Sequence, residues 1–177
     1  MRTRGMSVRR LTAAGLLSAL GVVLLGVGAL FEVLDLSMAA LASLLVVFAV
    51  IELGGAYPYL VYGVTALLSL LLLPAKTPAL IYALFAGYYP ILKAACEKHL
   101  PRGVSLVVKV IVFNAALALA VFLSFKFFAP GADSALGWKY WLLLLGTPVF
   151  LLYDFALTRL ITFYLARLQS RFRFLRR

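Results

Sequence analysis

Long apolar runs separated by short charged clusters set the rhythm of the chain. Six such runs stand at about 11–31, 36–53, 57–73, 78–95, 104–128 and 138–165. Each is close to the roughly 17–25 residues that a helix needs to cross a bilayer. "ELGG" closes the second run, "PAKTP" the third and "APGADSALG" the fifth. Pro58 and Pro78 stand where helices begin, in a first turn that has no use for their missing N–H. The pattern predicts an all-α, polytopic membrane protein: a bundle of six transmembrane helices in one domain spanning 1–177, with a basic tail at 166–177.

Composition sharpens this picture. The chain has 177 residues, 65% hydrophobic and 13% charged, with a mean hydropathy of +1.07. A soluble domain is about half apolar and about a quarter charged. A chain this apolar cannot cover its own surface with polar groups, so lipid is its expected solvent. The basic start followed by an apolar run resembles a signal peptide. The run at 11–31 is longer than a signal core, however, and reads as a retained first helix.

Charge gives direction. The net charge is +11, and it is concentrated at the chain ends and in one loop rather than in a nucleic-acid-binding patch. With the N-terminus inside, Arg2, Arg4, Arg9 and Arg10 face the cytoplasm. So do Lys93, Lys98, Arg102 and Lys109, and then Arg159, Arg167, Arg171, Arg173, Arg176 and Arg177. Only Lys76, Lys126 and Lys139 fall outside, so fourteen of the seventeen basic residues lie on one side. The positive-inside rule then predicts a multi-pass protein of a cell membrane with both termini cytoplasmic. The tail "RLQSRFRFLRR" reads as a basic amphipathic end on the anionic inner leaflet. Phe127, Phe128, Trp138, Tyr140 and Trp141 read as an outer aromatic belt, and Tyr57, Tyr59 and Tyr62 as its inner counterpart.

Ionisable groups inside the apolar runs are the candidate chemistry, because charge in a bilayer is expensive. Glu52 closes the second run. Lys93 lies 15 residues beyond Pro78, about 22 Å along a helix. Glu97 follows one turn later, and Pro90 before it predicts a bend eased by Gly87. Lys109 opens the fifth run, with Asn114 deeper. Asp154 and Arg159 lie in the inner part of the sixth. Glu52, Lys93, Glu97, Lys109, Asp154 and Arg159 are therefore expected to form a charge-neutral polar network at the inner end. Asp154 is too short to reach the surface, so it needs a cation, with Lys93 and Arg159 the first candidates. For Glu97 the candidates are Lys109 and Arg102. The lysines taken alone read as snorkelling to headgroups. Pro101 and Gly103 are expected to end the fourth helix, and Thr147-Pro148, beside Gly146, to kink the sixth.

Other chemistry is thinly represented. One cysteine, Cys96, and one histidine, His99, make neither a disulfide nor a metal site, so no metal or cofactor is expected. No hydrolase, metalloprotease or nucleotide-binding motif is present, and the chain does not read as an enzyme. Asp133, Trp138 and Tyr140 are the candidate outward pocket for a small molecule.

The first helix, "LTAAGLLSALGVVL", carries small residues at four-residue spacing: Ala14 with Ser18, and Gly15 with Ala19. Such spacing lets membrane helices approach closely. With the size, the six helices and the inside termini, this segment resembles the substrate-binding (S) components of energy-coupling-factor (ECF) vitamin transporters. The resemblance implies a prokaryotic plasma-membrane protein that binds a vitamin-like molecule and docks on a transmembrane coupling subunit with two ATPases. It also implies that an Ala-x-x-x-Ala-type surface, here Ala14/Ser18 or Gly15/Ala19, meets that subunit. The alternative is a non-transporting scaffold of a larger membrane complex.

The pairing of Asp154 is directly testable. Removing one partner of a buried pair costs about 3–5 kcal/mol in soluble proteins. Asp154→Leu should therefore lower the melting temperature in detergent more than Lys76→Leu. Equal melts would refute the pairing.

Overall fold

The computed structural model describes residues 2–128 and 136–167, and within them the chain is all-α. Helix α1 runs Arg2–Leu30, α2 Asp35–Phe48, α3 Tyr57–Leu72, α4 Thr77–Ile81, α5 Tyr89–His99, α6 Arg102–Phe128 and α7 Leu136–Arg167. Loosened helical turns follow α2 (Ala49–Leu53) and α4 (Tyr82–Ala86). The second of these joins α4 and α5 into one interrupted segment. The six apolar runs thus become six helical segments.

Four stretches are long and apolar enough to cross a membrane: Val8–Leu30, Asp35–Leu53, Thr77–His99 and Leu145–Arg167. Two further apolar stretches, Tyr57–Leu72 and Gly103–Leu119, are shorter. The protein is a membrane protein, and its surface agrees. Leu145, Val149, Leu152, Phe155, Leu160 and Phe163 of α7 are all exposed. A face of that kind is stable against acyl chains and not against water. α1 begins nine residues before the expected start at Leu11, so its basic N-terminal turns continue the helix beyond the apolar run. Gly103 belongs to the first turn of α6 instead of ending α5, and Leu100 and Pro101 separate the two. α7 continues through Pro148.

Two compact units are present: one from α1 into α5 as far as Ala95, together with the end of α7 from Ala166, and a second, Cys96–Leu165. In the first unit α1 packs against α2 and α3, and α4 against α1, α2 and α3. The core is built from small side chains. Ala14, Ala39, Ala42, Ala49, Ala66 and Ala86 make up half of its buried cluster, with Leu25, Val46, Leu53, Val61, Leu73 and Tyr82. In lipid there is no hydrophobic gain from hiding one apolar helix against another. Close backbone approach and dispersion hold the helices together instead. Gly21 illustrates this, because a methyl added there would sit 2.8 Å from Cγ2 of Thr65. At the same crossing Thr65 Oγ1 donates to the carbonyl of Ser18 (3.4 Å), and Ser18 Oγ donates to that of Ala14 (2.9 Å).

Helix ends are capped as their chemistry requires. The Gly54 N–H donates to the Ala49 carbonyl (3.0 Å), and Gly54 and Gly55 adopt positive φ, 62° and 58°. Only glycine enters that region without strain, so the turn into α3 depends on the pair. Pro58 and Pro78 lie in first helical turns, where an N–H would have no partner. Lys76 Nζ donates to the Leu73 carbonyl (2.5 Å), placing a cation at the negative end of α3.

The interrupted fourth segment is the most irregular element. The Gly87 N–H reaches back five residues to the Tyr82 carbonyl (2.7 Å) instead of four to Ala83. The released Ala83 carbonyl accepts from Tyr62 Oη of α3 (2.8 Å). Tyr62 was expected in the interfacial belt; it turns inward because this freed carbonyl needs a donor. Its ring lies 6.1 Å from that of Tyr82 and 6.3 Å from that of Tyr88. Tyr59 is exposed, as a belt residue would be.

Gly87 tolerates no side chain, since an added methyl would lie 2.6 Å from Cδ2 of Tyr62 and 2.8 Å from the Tyr82 ring. Gly87→Ala should lower the melting temperature in detergent by several degrees. Gly26→Ala meets nothing within 4 Å and should hold or raise it, since alanine is favoured in a helix by up to about 1 kcal/mol.

Candidate functional site

The six charged candidates divide between the two units. In the first unit, Glu52 lies in the loosened turn after α2 and Lys93 stands in the middle of α5. Both are buried, Glu52 at 3% exposure and Lys93 at 1%. This excludes snorkelling for Lys93. A buried amine and a buried carboxylate of opposite sign in one unit keep its interior formally neutral, which lowers the cost of taking either out of water.

In the second unit, three candidates meet. Lys109 Nζ of α6 lies 2.7 Å from Oε1 of Glu97 on α5, and 3.7 Å from Oδ1 of Asp154 on α7. The Lys109 side chain is 6% exposed, Asp154 13% and Glu97 48%. The expectation that Lys109 snorkels is therefore wrong: its ammonium is held between two carboxylates. Within this unit the partner of Asp154 is Lys109 and not Arg159. The cause is register: Arg159 stands five residues beyond Asp154 on the same helix, so the two point in different directions. Arg159 is exposed and lies over the ring of Phe155, 5.3 Å from its centroid. Of the two cations considered for Glu97, Lys109 pairs with it, and the Arg102 side chain lies outside the described residues.

Deeper in this unit, the polar contacts thin out into a seam between α6 and α7. Thr147 Oγ1 lies 3.4 Å from Oδ1 of Asn114, whose amide donates to the Val110 carbonyl (2.9 Å). Between this pair and the ion triad, Phe113 and Phe150 stack at 4.5 Å. Gly146 keeps the helices close, as a methyl there would meet Cδ2 of Leu117 at 2.7 Å. This arrangement holds charge and orders helices. No step of bond-making chemistry follows from it, and among the described residues no group of three metal-ligating side chains occurs.

The small residues of α1 separate into two faces. Ala14 and Ser18 are buried, at 3% exposure each, and form part of the core with Gly21 and Leu25. Gly15 and Ala19 are exposed. Of the two candidate pairs, the first is occupied by the protein's own α2 and α3, and the second is open. Trp138 and Tyr140 lie on α7 by backbone, but their side chains, like Asp133, Trp141 and the tail beyond Arg167, are outside the described residues. No known protein family, curated protein or solved structure matches the chain.

Sequence reasoning missed the Tyr62–Ala83 bond. Pro90 and Gly87 announce a bend, but a loosened turn has no residue signature that predicts which carbonyl is released.

Lys109→Met removes one counter-charge from Asp154 and Glu97. We expect a loss of about 3 kcal/mol or more, mainly through the enclosed Asp154. Glu97→Gln costs much less, because nearly half of that side chain is exposed and screened. Arg159→Met should cost about 1 kcal/mol or less. Adding Asp154→Asn to Lys109→Met should recover part of the loss. Unfolding titrations in mixed micelles measure all four.

Proposed function

We propose that this protein is the small-molecule-binding membrane component of a transporter, similar to ECF S components, and that it docks on a separate transmembrane coupling subunit. The supporting observation is the open face of α1. Gly15, Ala19 and Gly26, at i, i+4 and i+11, fall on one side of the helix. An added methyl at Gly15 or Gly26 would meet nothing within 4 Å. A partner helix could therefore approach closely there without disturbing the core contacts of Ala14, Ser18 and Gly21.

In this reading the membrane is a prokaryotic plasma membrane and both termini are cytoplasmic, supported by the fourteen basic residues on one side. The buried charges then lie toward the cytoplasmic end, where they fix the helices against which a coupling subunit would work. The substrate is a vitamin-sized molecule. The ion pairs also favour a second reading, a non-transporting scaffold: Lys109, Glu97 and Asp154 satisfy one another without a ligand.

Co-expression with an ECF coupling subunit and its ATPases separates these readings. A transport component should co-elute with the module and change its melting temperature with at least one compound from a panel of vitamins and precursors. A scaffold does neither. Gly15→Leu and Ala19→Leu should abolish co-elution while leaving the melting temperature of the isolated protein within a degree or two. Retained co-elution would exclude this face as the docking surface.

A further inference from the structure

The break between α4 and α5 leaves two backbone carbonyls open. In a regular helix the carbonyl of Ala86 accepts from residue 90 and that of Gly87 from residue 91. Residue 90 is a proline and has no N–H. The Ile91 N–H turns to the Tyr88 carbonyl (3.0 Å), which also accepts from Leu92 (3.1 Å). Among the described residues, no backbone N–H donates to the carbonyl of Ala86 or Gly87. Both residues are buried.

Depth makes this costly. Gly87 lies ten residues after Thr77, the first residue of the crossing, about 15 Å along a helix. Acyl chains offer no donor there, and irregular backbone at such depth persists where protein or water completes its hydrogen bonds. The neighbouring Ala83 carbonyl meets this requirement through Tyr62 Oη. Ala86 and Gly87 receive no backbone N–H.

We propose that the break at Ala86–Gly87 is a binding site for a small neutral hydrogen-bond donor, held by these two carbonyls, and that in the resting protein the donor is water. Two adjacent acceptors match the two O–H groups of one water. They fall well short of the roughly six to eight oxygens that a calcium ion gathers. The rings of Tyr62 and Tyr82 close the Cα side of Gly87, so the donor approaches from the carbonyl side. The proposal depends on the fourth segment crossing the membrane and is independent of what the protein transports or assembles.

The sequence offers a selective probe. Gly87–Tyr88 is its only Gly-Tyr pair, and Gly146–Thr147 its only Gly-Thr pair. Labelling with carbonyl-¹³C glycine and ¹⁵N tyrosine isolates the Gly87 carbonyl in protein reconstituted in bilayers. The same glycine with ¹⁵N threonine isolates Gly146, inside the continuous α7. Water-edited solid-state NMR then measures how fast each carbonyl gains magnetisation from water. Gly87 should build up several-fold faster than Gly146, and the excess should vanish in D2O. Pro90→Ala supplies the missing N–H and lets the helix close, so the excess should disappear in that variant. Equal build-up at the two carbonyls of the wild-type protein overturns the proposal. An excess that survives in Pro90→Ala, with the helix shown to be closed by its ¹³C shifts, overturns it as well.

Discussion

The interior of a bilayer offers a polypeptide no hydrogen bonds, so every N–H and C=O that enters it must find its partner in the chain or bring one along. That requirement accounts for the all-helical order of the described residues and for the treatment of each departure from it. Where α2 loosens, Gly54 closes the turn with an N–H to Ala49. Where α3 ends, the Lys76 ammonium takes the Leu73 carbonyl. Where the fourth segment loosens, Tyr62 reaches across from α3 to Ala83. In the last case, local irregularity is converted into contact between helices.

Charge obeys the same logic at a higher cost. Lys109 would be intolerable alone between apolar helices, yet with Glu97 and Asp154 it becomes a three-way tie among α5, α6 and α7. Such a tie is directional, whereas the packing of Leu and Val against lipid is not. Small-residue packing supplies the complementary constraint in the first unit, where Gly21 and Thr65 leave room for only one spacing between α1 and α3. Close packing fixes distance, and the ion pairs fix register.

The helices themselves were largely legible because they follow from apolar run length, which is a property of contiguous residues. Pro90 and Gly87 marked the bend for the same reason. Pairing was less legible. Which of Lys93, Lys109 and Arg159 serves Asp154 depends on how separate helices are turned about their axes, and apolar runs with little amphipathic contrast do not encode that rotation clearly. The same ambiguity left Ala14/Ser18 and Gly15/Ala19 equivalent in the sequence, and only the packing of α1 on α2 and α3 distinguished the buried pair from the open one. The inward turn of Tyr62 was invisible because its partner is a backbone atom released by an irregular turn.

The Tyr62–Ala83 bond also bears on how the chain is made. Tyr62 leaves the ribosome before Ala83, so its hydroxyl is already available when the irregular stretch arrives. Thr77–His99 is also the least apolar of the four long apolar stretches, with a mean hydropathy of 1.4 against 2.2 and 2.4 for the first two. A segment that is both weakly apolar and internally broken inserts best beside a helix that completes it. Synthesis order thus places α3 before the segment that it completes.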